Sequence, residues 1–231
     1  MIKLAVCDFD DTLVLERDFI KSGYARAAEF LAEEGFAENA EEAESALWRE
    51  FSKSPKNVFD RFAKNFLPGA PSELAEKLIQ IYRLHKPRIA YRPDVREFLS
   101  GARARGMKLA IVTDGLSETQ HNKLDAVGAE RDFDAAIVTS DFGPDWAKPS
   151  VKPFELLRDN FGIPFDETLY VGDNPAKDFA MSAKIPITTA RILREGAIHA
   201  GNEYLDGITE HFRIARLPQI FDAIGRPDAN G

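Results

Sequence analysis

A short apolar run near the start of the chain ends in two acidic residues that stand two positions apart. Leu4-Ala5-Val6 is followed, after Cys7, by Asp8 and Asp10. An uninterrupted apolar run is typical of a parallel strand that is buried on both faces. The carboxyl end of such a strand opens into the crevice where open α/β sheets bind ligands. The sequence therefore predicts an α/β fold whose first strand presents Asp8 and Asp10 to a small polar site.

Two later apolar runs also end in polar residues. Residues 108–112 lead into Thr113-Asp114-Gly115, and residues 168–171 lead into Gly172-Asp173-Asn174-Pro175. Asp178 follows Asp173 by five positions, and Lys148-Pro149 lies between the two runs. In order and spacing, these segments and the first one resemble the four motifs of the haloacid dehalogenase-like hydrolase superfamily, over about residues 1–14 and 91–190. The resemblance implies a Rossmann-like parallel sheet core with an inserted all-helical cap domain.

The composition of the chain argues against two classes of binding partner, nucleic acids and membranes. The chain has 231 residues, a formal net charge of −8 and one cysteine. An acidic chain lacks the basic footprint of a nucleic-acid binder, and no apolar run approaches the roughly 20 residues of a membrane span. The chain shows no signal-peptide layout. We therefore expect a cytoplasmic protein with no nucleic-acid or membrane partner, and its oligomeric state is left open.

Residues 15–90 differ in character from the rest of the chain, because they show helical spacing and few strand-like runs. Asn39 and Glu42 form a capping-box-like helix start, and Ser72 is placed to cap another helix. The expected domains are a core of residues 1–14 and 91–231 and a helical cap of residues 15–90. The alternative is that these helices merely cover the sheet.

From Pro93 onward, predicted helices alternate with strands, as a parallel sheet requires. Ser117 and Gln120 form a second capping-box signal, and residues 226–231 are expected to form a frayed tail. Besides the two runs above, the pattern predicts strands at 135–138 and 186–190, and helices from Pro93 and from Ser117, at 153–160, at 176–183 and at 217–224.

The resemblance also implies a role for each motif residue. Asp8 is the expected nucleophile, forming an aspartyl-phosphate, and Asp10 is the expected general acid and base. Thr113, Asp114 and Lys148 are expected to bind the phosphoryl group. Lys152, also followed by proline, is the rival of Lys148.

Four carboxylates in one site would repel each other without a cation. Mg²⁺ suits such a site, because it binds carboxylates, waters and substrate phosphate. The expected ligands are Asp8, Asp10 through its backbone carbonyl, Asp173 and Asp178. An ordinary surface carboxylate is the alternative for Asp178.

The expected activity is magnesium-dependent hydrolysis of a small phosphorylated metabolite, a phosphate ester. A phosphomutase of the β-phosphoglucomutase type would keep every motif residue, and a haloacid dehalogenase would share the nucleophile and the fold. A dehalogenase does not need the second aspartate, since no leaving oxygen requires a proton. A response-regulator receiver is the non-enzyme alternative, but its phosphorylated aspartate lies on a later strand and it has no helical insertion.

Overall fold

The computed structural model describes residues 1–71 and 73–225. Ser72, the predicted helix cap, and residues 226–231, the predicted frayed tail and the end of the expected core, lie outside the described residues. The chain divides into two compact units. The first comprises Met1–Arg17 and Ile89–Gly231, and the second comprises Asp18–Arg88.

A six-stranded parallel sheet forms the first unit, in the order β3-β2-β1-β4-β5-β6. The strands are β1 (Leu4–Cys7), β2 (Lys108–Thr113), β3 (Ala135–Val138), β4 (Thr168–Gly172), β5 (Thr188–Ile192) and β6 (Phe212–Ile214). The first strand lies between β2 and β4, with Cys7 opposite Ile111 and Val171. Strand order reverses at β1, so the carboxyl end of β1 is the place where such a sheet binds ligands.

The core lies on both faces of this sheet. Ala5 and Cys7 of β1 belong to one buried apolar cluster, and Leu4 and Val6 belong to the other. Successive strand residues point to opposite faces, and all four of these side chains are buried. This burial on both faces explains the uninterrupted apolar run. The predicted α/β fold with a parallel sheet is confirmed.

Nine α-helices are found among the described residues. They are α1 (Glu16–Glu33), α2 (Ala40–Lys53), α3 (Val58–Phe66), α4 (Leu74–Leu84), α5 (Val95–Ala104), α6 (Ser117–Val127), α7 (Ala129–Asp132), α8 (Lys152–Phe161) and α9 (Ile220–Ile224). The first four make up the second unit, apart from Glu16 and Arg17 at the start of α1. The predicted start of α2 is confirmed, since the Asn39 side chain accepts a hydrogen bond from the Glu42 N–H at 2.9 Å.

Aromatic side chains fill the centre of the second unit. The Tyr24 ring lies 5.1 Å from Trp48, 5.7 Å from Phe59 and 5.8 Å from Tyr82, measured between ring centroids. Such pairs, beyond the area they bury, each contribute about 1 kcal/mol. The helices of this unit therefore share a core of their own.

Two expected features of the first unit are wrong. The helix predicted at 176–183 is only a 3-10 turn at Ala180–Ala183, because the preceding loop closes on itself through a bond from the Ala176 N–H to the Asn174 side chain at 3.1 Å. The capping box at Ser117 is absent, since Leu116 is the N-cap of α6 and makes no side-chain cap bond. The last predicted helix, at 217–224, is confirmed: its first turn, Leu217–Gln219, is a 3-10 turn, and it becomes α-helical in α9.

Candidate active site

The candidate site lies where β1, β2 and β4 end. Asp8 directly follows β1 and donates its backbone N–H to the Val171 carbonyl at 2.8 Å. Thr113 is the last residue of β2, and Asp173 directly follows β4. Because neighbouring parallel strands end at the same edge, three segments that are distant in sequence meet there.

Lys148 lies at the centre of this site and is buried. Its Nζ is 2.7 Å from Asp8 Oδ1, 2.8 Å from Asp178 Oδ1 and 2.8 Å from the Tyr170 hydroxyl. Burial lowers the pKa of Lys148, but the Asp178 and Asp8 carboxylates outweigh burial and raise it above its ordinary value. Lys148 is therefore a fixed positive charge beside Asp8. The rival Lys152 is exposed and pairs with Asp145.

Three buried carboxylates converge beside Lys148. Within residues 1–71 and 73–225, one group of acidic, histidine or cysteine side chains has the spacing of a metal site: Asp8, Asp173 and Asp178, with ligand oxygens within 4.8 Å of one another. Burial and the neighbouring Asp8 and Asp178 raise the pKa of Asp173 to about 9. Burial also raises the pKa of Asp8, to about 6, although Lys148 lowers it.

The donor atoms of this cluster fit a hard cation. Asp173 Oδ2 is buried and has no hydrogen-bond partner among the described residues. A buried unpaired oxygen costs about 1–3 kcal/mol, and a divalent cation held by carboxylate oxygens would satisfy it. The cluster brings together the side chains of three expected ligands, Asp8, Asp173 and Asp178. The fourth expected ligand is the backbone carbonyl of Asp10, not its side chain.

Asp178 is held in place by its neighbours on the β4 side. Its Oδ1 accepts a hydrogen bond from the Tyr170 hydroxyl at 2.9 Å, and its Oδ2 accepts one from the Asn174 N–H at 2.8 Å. Burial raises the pKa of Asp178, but Lys148 and Lys177 lower it more, and the net pKa is below the ordinary value. Asp178 is fully buried, so the alternative of an ordinary surface carboxylate does not hold.

The Asp10 side chain has different partners. Asp10 Oδ1 accepts a hydrogen bond from Lys123 Nζ at 2.8 Å, and Oδ2 accepts one from Gln120 Nε2 at 3.0 Å. Burial raises the pKa of Asp10, but Lys123 and the hydrogen bonds lower it by more than burial raises it. The net pKa is therefore below the ordinary value. In the sequence, Gln120 was expected to complete a capping box with Ser117 and Lys123 is an ordinary polar helix residue, so no pattern indicated that either belongs to the site.

Asp114 supports the loop that carries Lys148. Its Oδ1 accepts hydrogen bonds from the Thr139 hydroxyl at 2.8 Å and from the Lys148 N–H at 3.2 Å. Its Oδ2 lies 3.3 Å from Lys177 Nζ. Both oxygens of Asp114 thus contact the protein, and this arrangement favours a supporting role over the expected contact with substrate.

The loop after β1 is shaped by Asp11. This residue has a positive φ of 52°, and its carboxylate accepts hydrogen bonds from the Glu16 N–H at 2.9 Å and the Ile198 N–H at 2.7 Å. A short polar side chain tolerates this left-handed conformation better than a bulky one. The two bonds hold the segment that follows Asp10.

Comparison with known proteins places the chain in a family. The family model for the haloacid dehalogenase-like hydrolases matches residues 2–185. The chain belongs to this hydrolase family.

Among curated proteins, a glyceraldehyde 3-phosphate phosphatase of Methanocaldococcus jannaschii is 29% identical over 198 residues, 84% of this chain and 86% of that protein. A phosphoserine phosphatase of Thermus thermophilus is 30% identical over 209 residues, 77% of this chain and 83% of that protein. The crystal structure of a HAD phosphatase from Thermococcus onnurineus has a TM-score of 0.61 at 23% identity, covering 97% of this chain and 98% of that one. That structural likeness supports the fold.

These findings confirm the family and the class of enzyme expected from the motifs, a haloacid dehalogenase-like phosphatase. Among the described residues, no helix is both long and apolar enough to span a membrane.

Proposed function

We propose that this hydrolase is a magnesium-dependent phosphatase that acts on a small phosphate monoester through an aspartyl-phosphate on Asp8. The contact of Lys148 Nζ with Asp8 Oδ1 at 2.7 Å carries the proposal. It fixes one oxygen of the carboxylate and leaves the other to attack. The same ammonium group also provides positive charge where a phosphoryl group would be transferred.

The reaction has two balanced steps. In the first, the negative charge of the bound phosphate favours the protonated form of Asp10. An Asp8 oxygen then bonds to phosphorus, the bond from phosphorus to the leaving oxygen breaks, and Asp10 gives that oxygen its proton. In the second, water attacks the phosphorus of the aspartyl-phosphate, Asp10 takes a proton from the water, and Asp8 leaves as a carboxylate. Thr113 and Lys148 would contact the phosphoryl oxygens during both steps.

Asp8, Asp173 and Asp178, together with the backbone carbonyl of Asp10, would hold the metal ion. When bound, Mg²⁺ would neutralise charge on the carboxylates and on the phosphoryl oxygens. The cluster supplies a free oxygen ligand for such an ion, because Asp173 Oδ2 lies within it and has no hydrogen-bond partner among the described residues. Asp114 would act indirectly, by holding the backbone of Lys148.

The relatives suggest the size of the substrate. Glyceraldehyde 3-phosphate and phosphoserine, the compounds in their names, are small phosphate monoesters. We extend this class to the present chain, and we propose that the helical unit of residues 18–88 is the cap domain expected at residues 15–90. A metabolite of this kind also fits a cytoplasmic enzyme with no nucleic-acid or membrane partner.

The first test is phosphate release from 4-nitrophenyl phosphate by metal-stripped protein. We expect no turnover until Mg²⁺ is added, since the carboxylates would otherwise repel the phosphate. Asp8→Asn should have no measurable activity, and the matched control Asp145→Asn should be unchanged, because Asp145 is exposed on a separate turn. Turnover that survives chelation, or Asp8→Asn with wild-type rates, would contradict the proposal.

Analysis of the reaction products distinguishes a phosphatase from a haloacid dehalogenase and from a phosphomutase. In ¹⁸O-water, attack on phosphorus puts the label into inorganic phosphate and leaves Asp8 unlabelled. Dehalogenation through an ester on Asp8 would label the Asp8 carboxylate, as detected by mass spectrometry of its peptide. A phosphomutase would release an isomeric phosphate ester from its substrate. A panel of sugar phosphates, nucleotides and small phosphorylated metabolites would then identify the preferred ester.

A further inference from the structure

A buried lysine lies beside the proposed acid–base residue. Lys123, on α6, is 2% exposed. Its Nζ is 2.8 Å from Asp10 Oδ1 and 2.6 Å from Glu16 Oε2. Taking an ammonium group out of water is costly unless it is paired. Two carboxylates within hydrogen-bond distance meet that cost, so Lys123 and Asp10 fix each other's positions.

Gln120 holds the other oxygen of the same carboxylate. Its Nε2 lies 3.0 Å from Asp10 Oδ2 and 2.6 Å from Thr113 Oγ1. A side-chain amide nitrogen carries two hydrogens, so one amide group serves both acceptors. The Thr113 oxygen is thereby an acceptor toward Gln120, and its own hydrogen is the group it has to offer a phosphoryl oxygen.

The local backbone makes room for this arrangement. Gly115 has a φ of +150°, and a Cβ built there would lie 2.9 Å from both Cγ and Cδ of Gln120. Gln120 is itself only 2% exposed. Gln120 and Lys123 are three positions apart on α6 and therefore share one helix face. That face, which a surface helix usually fills with apolar side chains, presents an amide and an ammonium group to Asp10.

We propose that Gln120 and Lys123 are positioning residues for the phosphatase reaction: together they fix both oxygens of the Asp10 carboxylate, and Gln120 also orients the Thr113 hydroxyl. The inference rests on the proposed function, because it assigns Asp10 to proton transfer at the leaving oxygen. A misplaced catalytic group can lower a rate on the order of 100-fold. Loss of either anchor should therefore slow the reactions that need Asp10.

The test compares two substrates of similar size that differ in their need for a proton. Phenyl phosphate has a poor leaving group, whereas 2,4-dinitrophenyl phosphate releases a stable anion. In Lys123→Met and Gln120→Met we expect kcat/KM for phenyl phosphate to fall on the order of 10- to 100-fold and that for dinitrophenyl phosphate to fall much less. The control is Lys108→Met, the same change at the opposite end of β2, where the lysine is exposed and pairs with Asp134.

A double-mutant cycle with Asp10→Asn gives the second readout. If Lys123 acts through Asp10, then Lys123→Met should have almost no further effect on kcat/KM once Asp10 is an amide. Equal losses on both substrates, or an undiminished loss in the Asp10→Asn background, would overturn the inference. If removal of Lys123, which leaves Asp10 and Glu16 unbalanced, prevents folding, Gln120→Met gives the readout instead. Its loss on phenyl phosphate should shrink in the Asp10→Asn background without vanishing, because Gln120 also contacts Thr113. Activity in Asp8→Asn would overturn the proposed function itself, whatever the result of the cycle.

Discussion

Buried charges outside the motifs connect the loop after β1 to the rest of the first unit. Arg194 Nη1 lies 2.9 Å from each oxygen of Asp94, and its guanidinium also donates to the Thr12 carbonyl at 2.8 and 3.2 Å. Asp94 accepts a further hydrogen bond from the Leu217 N–H at 2.8 Å. The Asp94–Arg194 pair therefore joins the loop after β1 to the start of α5 and to the segment before α9.

The Asp94–Arg194 pair should make stability depend on pH. Burial raises the pKa of Asp94, but the bonds from Arg194 and Leu217 lower it more, and the net pKa lies below the ordinary 3.8. A carboxyl group with a depressed pKa stabilises the fold above 3.8, and the stabilisation is lost as the pH falls through the folded-state pKa. Asp94→Asn should cost about 3 kcal/mol in free energy of unfolding at pH 7, as measured by urea denaturation.

The difference in stability between the wild type and Asp94→Asn should shrink as the pH falls below 3.8. Asp132→Asn is the matched control, because its partner Arg96 is 64% exposed and an exposed pair contributes at most about 1 kcal/mol. A difference for Asp94→Asn that stays constant down to pH 2, or equal losses in the two variants, would contradict the assignment.

At the scale of the element, the end of β4 shapes the carboxylate cluster. Gly172 is the last residue of the strand, and a Cβ built there would lie 2.5 Å from Asp178 Oδ2. Atoms this close cannot coexist, so any side chain at this position must displace the Asp178 carboxylate. The position of the Asp178 carboxylate thus requires glycine at the end of β4.

Gly172→Ala should therefore lower kcat on the order of 10-fold or more, since small displacements at a catalytic centre have large effects. We also expect the Mg²⁺ concentration for half-maximal activity to rise. Gly201→Ala is the control, because no atom lies within 4 Å of its added Cβ and its φ is not positive. Steady-state rates across a magnesium titration measure both effects. A normal magnesium dependence in Gly172→Ala would remove Asp178 from the metal site.

The elements differ in how far the sequence predicts them. The strands β1, β2 and β4 were predicted because burial on both faces leaves an apolar run. The helix expected at 176–183 does not form, because the Asn174 side chain accepts a hydrogen bond from the Ala176 N–H and so shapes a turn there. The partnership of Lys123 with Asp10 leaves no pattern in the sequence, since the two residues lie 113 positions apart.

For the whole molecule, the order of the strands in the sheet differs from their order along the chain, because β1 pairs with β2 and β4. The order in which strands are made therefore need not be the order in which they pair. The Asp8 N–H bonds to the Val171 carbonyl, so the exchange of this amide hydrogen reports when β1 and β4 pair. In refolding followed by pulsed hydrogen exchange, we expect helix amides such as Ala27 to be protected before that of Asp8, because local contacts form faster than distant ones. Earlier protection at Asp8 would contradict this order.

The central position of β1 also has a consequence for protein synthesis. The ribosome makes β1 before either of its neighbours, and at roughly 5–20 residues per second the partner strand β4 follows on the order of 10 s later. A chain released before β4 carries Asp8 and Asp10 but neither a partner for the Asp8 amide nor the carboxylates of Asp173 and Asp178. If Asp8 and the carboxylate cluster carry the reaction as proposed, incomplete translation products that lack β4 should have no phosphatase activity.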